Sequence, residues 1–286
     1  MNINKKNKDK IFIFCFIYLC SIIFLTLCAP LISPYDPNEQ DIMNKLQHPS
    51  VQHWLGTDQL GRDILSRLLY GGRTTLLFSI STTIIVILIG LFLAYLSIMY
   101  SRKLDYIISF FTNTLLSIPS EMVTLILIGI LGTNIPTIFL AITLSKIPWY
   151  IKMFREEINY YKEKNYIKFS LISGKSKIWI MKNHLFFNLF DSIVVYSTLN
   201  LSSIIVSISA LSFLGIGIQP PKSEWGMMLN DARNVITTDN WQIVPVGITL
   251  FLTLSTINYL GDKIVERRIL GKGKIENGNI NESFKY

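Results

Sequence analysis

The sequence has few charged residues, cysteines and histidines, and each shortage excludes a class of protein. Only 16% of the 286 residues are charged, against about 25% in an average soluble protein, and the mean hydropathy is +0.40. This composition excludes a disordered chain, a coiled coil and a collagen-like repeat. All three cysteines lie in one apolar run, and the three histidines lack metal-ligand spacing. Neither a disulfide framework nor a metal motif is therefore predicted.

The sequence contains instead six apolar runs near the length that crosses a bilayer as a helix, about 20 residues. They are residues 11–32, 76–100, 106–131, 135–154, 192–214 and 242–260. The first run is too long for a typical cleaved signal peptide, so it is predicted to remain attached as an anchor. The sequence therefore predicts an all-α integral membrane protein with six transmembrane helices.

Positive charge is distributed unevenly among the connections between these runs. The chain has 27 Lys and Arg residues and a net charge of +8. If the N-terminus is cytoplasmic, only six of these residues lie outside the cell, namely Lys45, Arg62, Arg67, Arg73, Lys222 and Arg233. Cytoplasmic loops of membrane proteins carry an excess of Lys and Arg. Both termini are therefore predicted to be cytoplasmic, and the net charge requires no nucleic-acid partner.

Two segments are predicted to lie on the outer side, at residues 33–75 and 215–241. In the first, Thr57 or Asp58 is predicted to cap a helix that ends at Gly71-Gly72 and lies in the membrane interface or against the bundle. Its apolar residues share one side, and Arg62, Asp63 and Arg67 share the other. In the second, Ser223 is the predicted cap of a short helix through Arg233, with Trp225 at the depth of the lipid headgroups.

The cytoplasmic stretch 155–191 contains two short amphipathic patterns on either side of Gly174. Ile167, Leu171 and Ile172 share one helical face before the glycine, and Ile178, Trp179, Met181 and Leu185 follow at similar spacing. Two helices hinged at Gly174 is one interpretation, and a basic loop at the headgroups is the other. The letters GKS at 174–176 resemble the end of a P-loop, but Phe169 stands where a second glycine is needed. The chain is therefore not expected to hydrolyse ATP by itself.

Polar residues inside the runs mark a possible translocation path. Glu121 follows Pro119, and Lys146 precedes Pro148. Charges at membrane depth are costly and often line a pathway, although residues near a helix end also reach the interface. Asn200, Ser203, Ser207 and Ala210 form a stripe on the fifth run, which suits either close helix contact or a pore for a polar solute. The predicted path residues are Glu121, Asn200, Ser203 and Ser207.

Several stretches, taken together in order and spacing, resemble one transporter family. They are SPYDP (33–37), HWLGTDQLGRDILSR (53–67), SIP (117–119), LSFLGIG (211–217), EWG (224–226) and NYLGD (258–262). Between about Pro34 and Asp262 the chain resembles the inner-membrane permease subunits of binding-protein-dependent ABC importers, in the peptide and nickel branch. The resemblance implies a type I ABC importer permease fold. Its parts would be a first helix (1–32), an outer segment with an interfacial helix (33–75), a five-helix core (76–262) and a cytoplasmic tail (263–286).

The stretch around Gly174 resembles the family's EAA signature, which forms coupling helices seated in a cleft of the ATPase subunit. Gly174 stands at the signature glycine, and His184 and Asn188 match common residues after it. Lys168, Phe169 and Ser170 occupy the positions of Glu-Ala-Ala, and Phe187 replaces a frequent proline. The resemblance implies that these residues contact an ATPase. Because Lys168 reverses a charge, a compensating change is expected in that partner.

The resemblance also implies the surroundings of the chain. These are a bacterial inner membrane and its lipid, a second permease subunit, one or two ABC ATPase subunits that use ATP, and an extracytoplasmic solute-binding protein. No catalytic residue, bound cofactor or metal is expected in this chain. The stretches 52–58, 129–132, 141–145 and 225–233 look most similar to nickel permeases. Nickel or a nickel chelate is the first expected substrate, and a di- or oligopeptide or another metal chelate is the second. A stand-alone secondary transporter or membrane enzyme is the alternative from another class.

Overall fold

The computed structural model describes the backbone of residues 3–283 and the side chains of residues 10–266, and this part of the chain is helical without a β-strand. The helices are α1 (Ile3–Leu27), α2 (Ala29–Ile32), α3 (Ile64–Met99), α4 (Arg102–Leu116), α5 (Ser120–Leu131), α6 (Ile135–Lys162), α7 (Asn165–Ile172), α8 (Lys177–Ile180), α9 (Phe186–Phe213), α10 (Trp225–Asn234) and α11 (Ile243–Ser283). A 3-10 turn covers Ile42–Asn44, and a π-helical turn, Met181–Leu185, joins α8 to α9.

Every predicted apolar run is helical, and fewer than six of the described helices meet the length and hydropathy needed to cross a membrane. Four helical stretches of the described chain are long and apolar enough to cross a membrane, and the bent pair α4 and α5 makes a fifth if it is one span. At the remaining run, α6 carries Lys146, Lys152 and further charges towards its end. The all-α membrane architecture is therefore confirmed, whereas six crossings remain a prediction.

Pro119 divides the third predicted run into two helices rather than kinking one. Proline lacks a backbone N–H and cannot continue the ladder of hydrogen bonds. Here it is the N-cap residue of α5, and the axes of α4 and α5 differ by 90°. Glu121 consequently lies in the first turn of a new helix rather than in the middle of a span.

The centre of the fold is the pairing of α3 with α6. Their crossing is close at Gly90, where a Cβ atom would lie 2.7 Å from Cβ of Tyr150. Val86, Ala94, Tyr150 and Phe154 are buried there, and the cluster continues into Ile167, Ile180, Leu185 and Leu189 at the cytoplasmic segment. This apolar cluster therefore connects the membrane helices directly to the region around Gly174.

The predicted helix from Thr57 or Asp58 to Gly71-Gly72 is wrong at both ends. Asp63 is the N-cap of α3, and its side chain accepts a hydrogen bond from the Ser66 N–H at 2.7 Å. The helix continues through Gly71 and Gly72 to Met99. The glycines are needed for packing, because a Cβ at Gly72 would lie 2.4 Å from Thr26 and 2.7 Å from the Trp225 ring. The segment is thus the beginning of a long helix that packs against the bundle, the second of the two predicted placements.

The second outer segment also differs from its prediction. Glu224, rather than Ser223, caps α10 by accepting from the Met227 N–H at 3.0 Å. Trp225 is fully buried instead of lying at the headgroups, and its Nε1–H donates to the Leu68 carbonyl at 3.0 Å. A carbonyl inside the fold satisfies the indole N–H, so the ring needs no aqueous interface.

Candidate functional site

The hairpin of residues 165–188, which is predicted to be cytoplasmic, consists of short helices hinged at Gly174, the first of its two interpretations. Gly174 has a φ of +74°, which is accessible to glycine without steric cost. The Gly174 N–H donates to the Leu171 carbonyl and the Lys175 N–H to the Ser170 carbonyl, both at 3.1 Å. These two bonds form a Schellman motif, which ends α7. Ser176 then caps α8 by accepting from the Trp179 N–H at 3.2 Å.

Three of the sequence-predicted residues, Ser170, His184 and Asn188, meet inside this hairpin. His184 Nε2 lies 3.3 Å from Ser170 Oγ, and its ring packs between those of Tyr166 and Trp179. Asn188 Nδ2 donates to Tyr166 Oη at 3.2 Å and to the His184 carbonyl at 2.6 Å. These side chains therefore fix α7 against the start of α9, and the π-helical turn orients His184 for that contact.

Several other predicted residues of the hairpin face outward. Phe169 is 72% exposed and Ile172 is 86% exposed, so the expectation that Ile172 shares the buried face of Ile167 is wrong. Ile178, expected on the apolar face of the second helix, is also exposed. Lys168 Nζ donates to Glu163 Oε2 at 2.7 Å, and this hydrogen bond lowers the pKa of Glu163. The hairpin thus presents large apolar side chains beside a lysine on its open side.

A second group of polar side chains, here called the helix-break cluster, lies where α5 begins. It comprises Ser120, Glu121, Lys146 and Ser203. Lys146 Nζ donates to Glu121 Oε1 and Ser120 Oγ at 3.2 Å each and to Ser203 Oγ at 3.4 Å. The structure therefore joins two of the predicted path residues, Glu121 and Ser203, through Lys146 on α6. The cluster pairs opposite charges, either of which would be costly alone inside a bilayer.

The other two predicted path residues continue the polar surface along α9. Asn200 Nδ2 donates to the Tyr196 carbonyl at 3.1 Å, and Ser207 Oγ donates to the Ser203 carbonyl at 3.0 Å. Asn200, Ser203 and Ser207 are all partly exposed. Asn200 and Ser207 bond within the helix, whereas Ser203 Oγ accepts from Lys146, so an uncharged polar stripe adjoins the charged cluster.

Comparison with known families identifies the chain. Residues 50–271 match the model of the binding-protein-dependent transport system inner membrane component, and residues 7–49 match the N-terminal transmembrane domain of oligopeptide transport permease C. The chain belongs to this permease family. The resemblance drawn from its motifs is confirmed, and the protein is a multi-pass inner-membrane permease of the ABC importer class.

The permeases that resemble this chain are named for different solutes. The chain is 32% identical over 231 residues to the nickel transport system permease NikC of Escherichia coli K12, covering 81% of this chain and 83% of that one. It is 34% identical to the metal-staphylopine import system permease CntC of Staphylococcus aureus NCTC 8325, with coverages of 88% and 89%. It is 33% identical to the di/tripeptide permease DppC of Pseudomonas aeruginosa UCBPP-PA14, with coverages of 86% and 83%.

The two segments that are predicted to lie on the outer side share an ion cluster that the sequence pattern did not predict. Asp58 and Asp231 hold Arg62 and Arg67 between them, and all four residues are buried. The Arg62 and Arg67 guanidinium groups lie 3.0 and 3.1 Å from Asp231 Oδ2. The arginines were expected on the polar side of an interfacial helix. A partner more than 150 positions away along the chain leaves no local signal, so helical periodicity could not reveal it.

Proposed function

We propose that this permease is one half of a heterodimeric import pore whose ATP hydrolysis takes place on separate ATPase subunits. The hairpin carries the proposal, because its interior is fixed by Ser170, His184 and Asn188 while Phe169 and Ile172 project from it. Large apolar side chains exposed on a polar, basic segment are typical of a surface that a partner covers. Lys168 beside them favours an acidic position in the ATPase cleft.

The proposed mechanism transmits ATPase closure through this hairpin to the membrane helices. The apolar cluster that contains Ile167, Ile180 and Leu185 also contains Tyr150 and Phe154 of α6. Movement of the hairpin would therefore move α6 and α9 together, switching the pore between inward-open and outward-open states. ATP shifts this equilibrium only as far as it binds one state better than the other.

The outer surface is proposed to meet the solute-binding protein and the second permease subunit. The ion cluster of Asp58, Arg62, Arg67 and Asp231 fastens the two outer segments to each other. An adjoining cavity of about 690 Å³ is lined by Arg73, Lys222 and Asp36, among other residues. If these two segments lie outside the cell, the excess of Lys and Arg lies on the cytoplasmic side. This distribution agrees with the proposal that both termini are cytoplasmic.

Nickel or a nickel chelate is proposed as the solute, with a di- or oligopeptide as the second candidate. The nickel proposal is supported by the similarity to NikC, the alternative of another metal chelate by the similarity to CntC, and the peptide proposal by the similarity to DppC. Uptake of radioactive nickel, free and with histidine as chelator, should be compared with uptake of a labelled dipeptide in cells with and without the gene. Loss of peptide uptake alone would favour the second candidate.

Substitution of Gly174 by valine tests the coupling role. A β-branched residue in the left-handed region costs roughly 1–2 kcal/mol, while no atom lies within 4 Å of the added Cβ. Since 1.4 kcal/mol is about tenfold in an equilibrium, we expect about tenfold less import per ATP hydrolysed, with the chain still in the membrane. Gly174→Asn is the matched control, because asparagine tolerates this conformation. Unchanged import by the valine variant would contradict the proposed role.

A further inference from the structure

The helix-break cluster distributes its two charges unequally between the interior and the surface. The Lys146 side chain is 10% exposed, whereas the Glu121 side chain is 64% exposed. A lysine ammonium has three N–H donors and no acceptor. Lys146 uses three oxygens, those of Ser120, Glu121 and Ser203. The positive group is therefore buried with its donors engaged, and the accessible charge is the carboxylate.

Glu121 remains an available acceptor in spite of these contacts. Ser120 Oγ donates to Glu121 Oε1 at 2.9 Å, and Lys146 donates to the same oxygen. A carboxylate has two oxygens and about four acceptor positions. The cluster therefore offers additional acceptor capacity on its exposed side.

The exposed side of Glu121 cannot be explained as a surface in contact with lipid tails. A carboxylate in hydrocarbon costs at least several kcal/mol, and intramembrane charges face a bundle interior or an aqueous cavity. Ser203, which contacts the same lysine, belongs to the partly exposed polar stripe of Asn200 and Ser207 on α9. The carboxylate and the stripe together form one hydrophilic surface.

We propose that Glu121 and Lys146 form a charge-selective point on the translocation path, where the carboxylate contacts a cationic, N–H-bearing group of the passing solute. The inference rests on the proposed import function and names the solute chemistry. The group is either the protonated amine of a peptide or the N–H of a metal-coordinated amine in a chelate. A solute with accessible negative charge is disfavoured there by repulsion.

The buried lysine gives this contact a moderate strength. Conduction requires a site that attracts the solute yet releases it. An unpaired carboxylate at this depth would bind a cation strongly, whereas Lys146 at 3.2 Å compensates much of its charge. The pair is neutral when no solute is present, so the empty path avoids an isolated charge in the membrane. Lys146 is therefore a positioning residue that also moderates the affinity of Glu121.

The test uses the complete transporter in proteoliposomes, with both permeases, the ATPases and the binding protein. Initial import rates are measured for alanyl-lysine and alanyl-glutamate, and in a parallel arm for nickel with histidine. Glu121→Gln should slow alanyl-lysine about tenfold relative to alanyl-glutamate, as loss of one partly screened charge contact predicts. The exchanged pair Glu121→Lys with Lys146→Glu should reverse the preference. Glu156→Gln, an exposed carboxylate elsewhere on α6, should leave the ratio unchanged.

The outcomes separate this inference from the function on which it rests. If Glu121→Gln does not accumulate, the double variant with Lys146→Met removes both charges and is expected to lose the preference. If Glu121→Gln slows alanyl-lysine more than alanyl-glutamate, the amine belongs to a peptide. If Glu121→Gln slows only the import of nickel with histidine, the amine belongs to a chelate. Variants that slow both peptides and nickel equally overturn the inference while import stands. A wild-type transporter that imports none of these solutes refutes the import function and this inference together.

Discussion

At the scale of single residues, Gly72 lets α1, α3 and α10 approach one another. A Cβ at this position would lie within 2.4 Å of the Thr26 methyl group and 2.7 Å of the Trp225 ring. Contacts under 3.0 Å require the neighbours to shift, and neither the indole nor the packed threonine has space to do so. The missing side chain is therefore what allows Trp225 to be fully buried.

Gly72→Ala is expected to destabilise the permease in spite of the higher helix propensity of alanine. Overpacking a filled core costs about 1–3 kcal/mol, more than the gain of up to about 1 kcal/mol that alanine brings to a helix. The matched control is Gly129→Ala, since no atom lies within 4 Å of the Cβ added on α5. Thermal unfolding in detergent should show a lower midpoint for the first variant only. Equal midpoints would contradict the packing argument.

At the scale of elements, α10 is attached to the bundle through its own cap. Glu224 is fully buried, and its Oε1 accepts hydrogen bonds from Thr75 on α3 and Ser209 on α9 at 3.1 Å each. Its Oε2 accepts the Met227 N–H. One carboxylate therefore begins α10 and joins it to two membrane helices.

Glu224→Ala should loosen α10 rather than merely shorten it. Loss of the cap costs about 1 kcal/mol, and each buried donor left without an acceptor adds about 1–3 kcal/mol. We expect faster hydrogen exchange in residues 225–234 and a lower unfolding midpoint. Glu39→Ala, at an exposed position of the outer segment, is the control. Unaltered exchange in the Glu224 variant would show that packing of Trp225 alone holds the helix.

The hairpin of residues 165–188 shows which features a local sequence pattern can predict and which it cannot. Gly174 and the apolar spacing indicated two short hinged helices as one of two interpretations, because a Schellman turn is encoded by neighbouring residues. The exposure of Ile172 and Ile178 was not predicted. Those faces depend on where α7 lies against α9, which the His184 and Asn188 contacts decide. The sequence could therefore locate the candidate site but could not assign its inner and outer surfaces.

At the scale of the whole molecule, the outer ion cluster fastens together two segments that are distant along the chain. Asp58 and Arg62 precede α3, Arg67 lies in its first turns, and Asp231 lies on α10. Both arginines contact both aspartates, and all four residues are buried. Removing one member leaves a buried charge without its partner, which is far more costly than breaking an exposed pair.

Arg67→Met should therefore destabilise the outer part of the permease by about 3–5 kcal/mol, the usual cost of breaking a buried ion pair from one side. Arg73→Met is the matched control on the same helix, since Arg73 is partly exposed and lies outside the ion cluster. Limited proteolysis of the outer segments and the unfolding midpoint both report the difference. If the two variants are equally stable, the cluster does not hold these segments together.

The sequence by itself determined the helices and the family, and it located the glycine at which the hairpin turns. Long apolar runs have no other stable form in a bilayer, because every backbone polar group must be satisfied internally, and Gly174 supplies a conformation that few residues adopt. The tertiary structure alone decided that Gly71-Gly72 continues a helix, that Trp225 and the arginines are buried, and that Lys146 joins Glu121 to Ser203. Those features depend on contacts between distant positions, and the cost of burying a charge or bringing two helices close together is known only once the partner is in place.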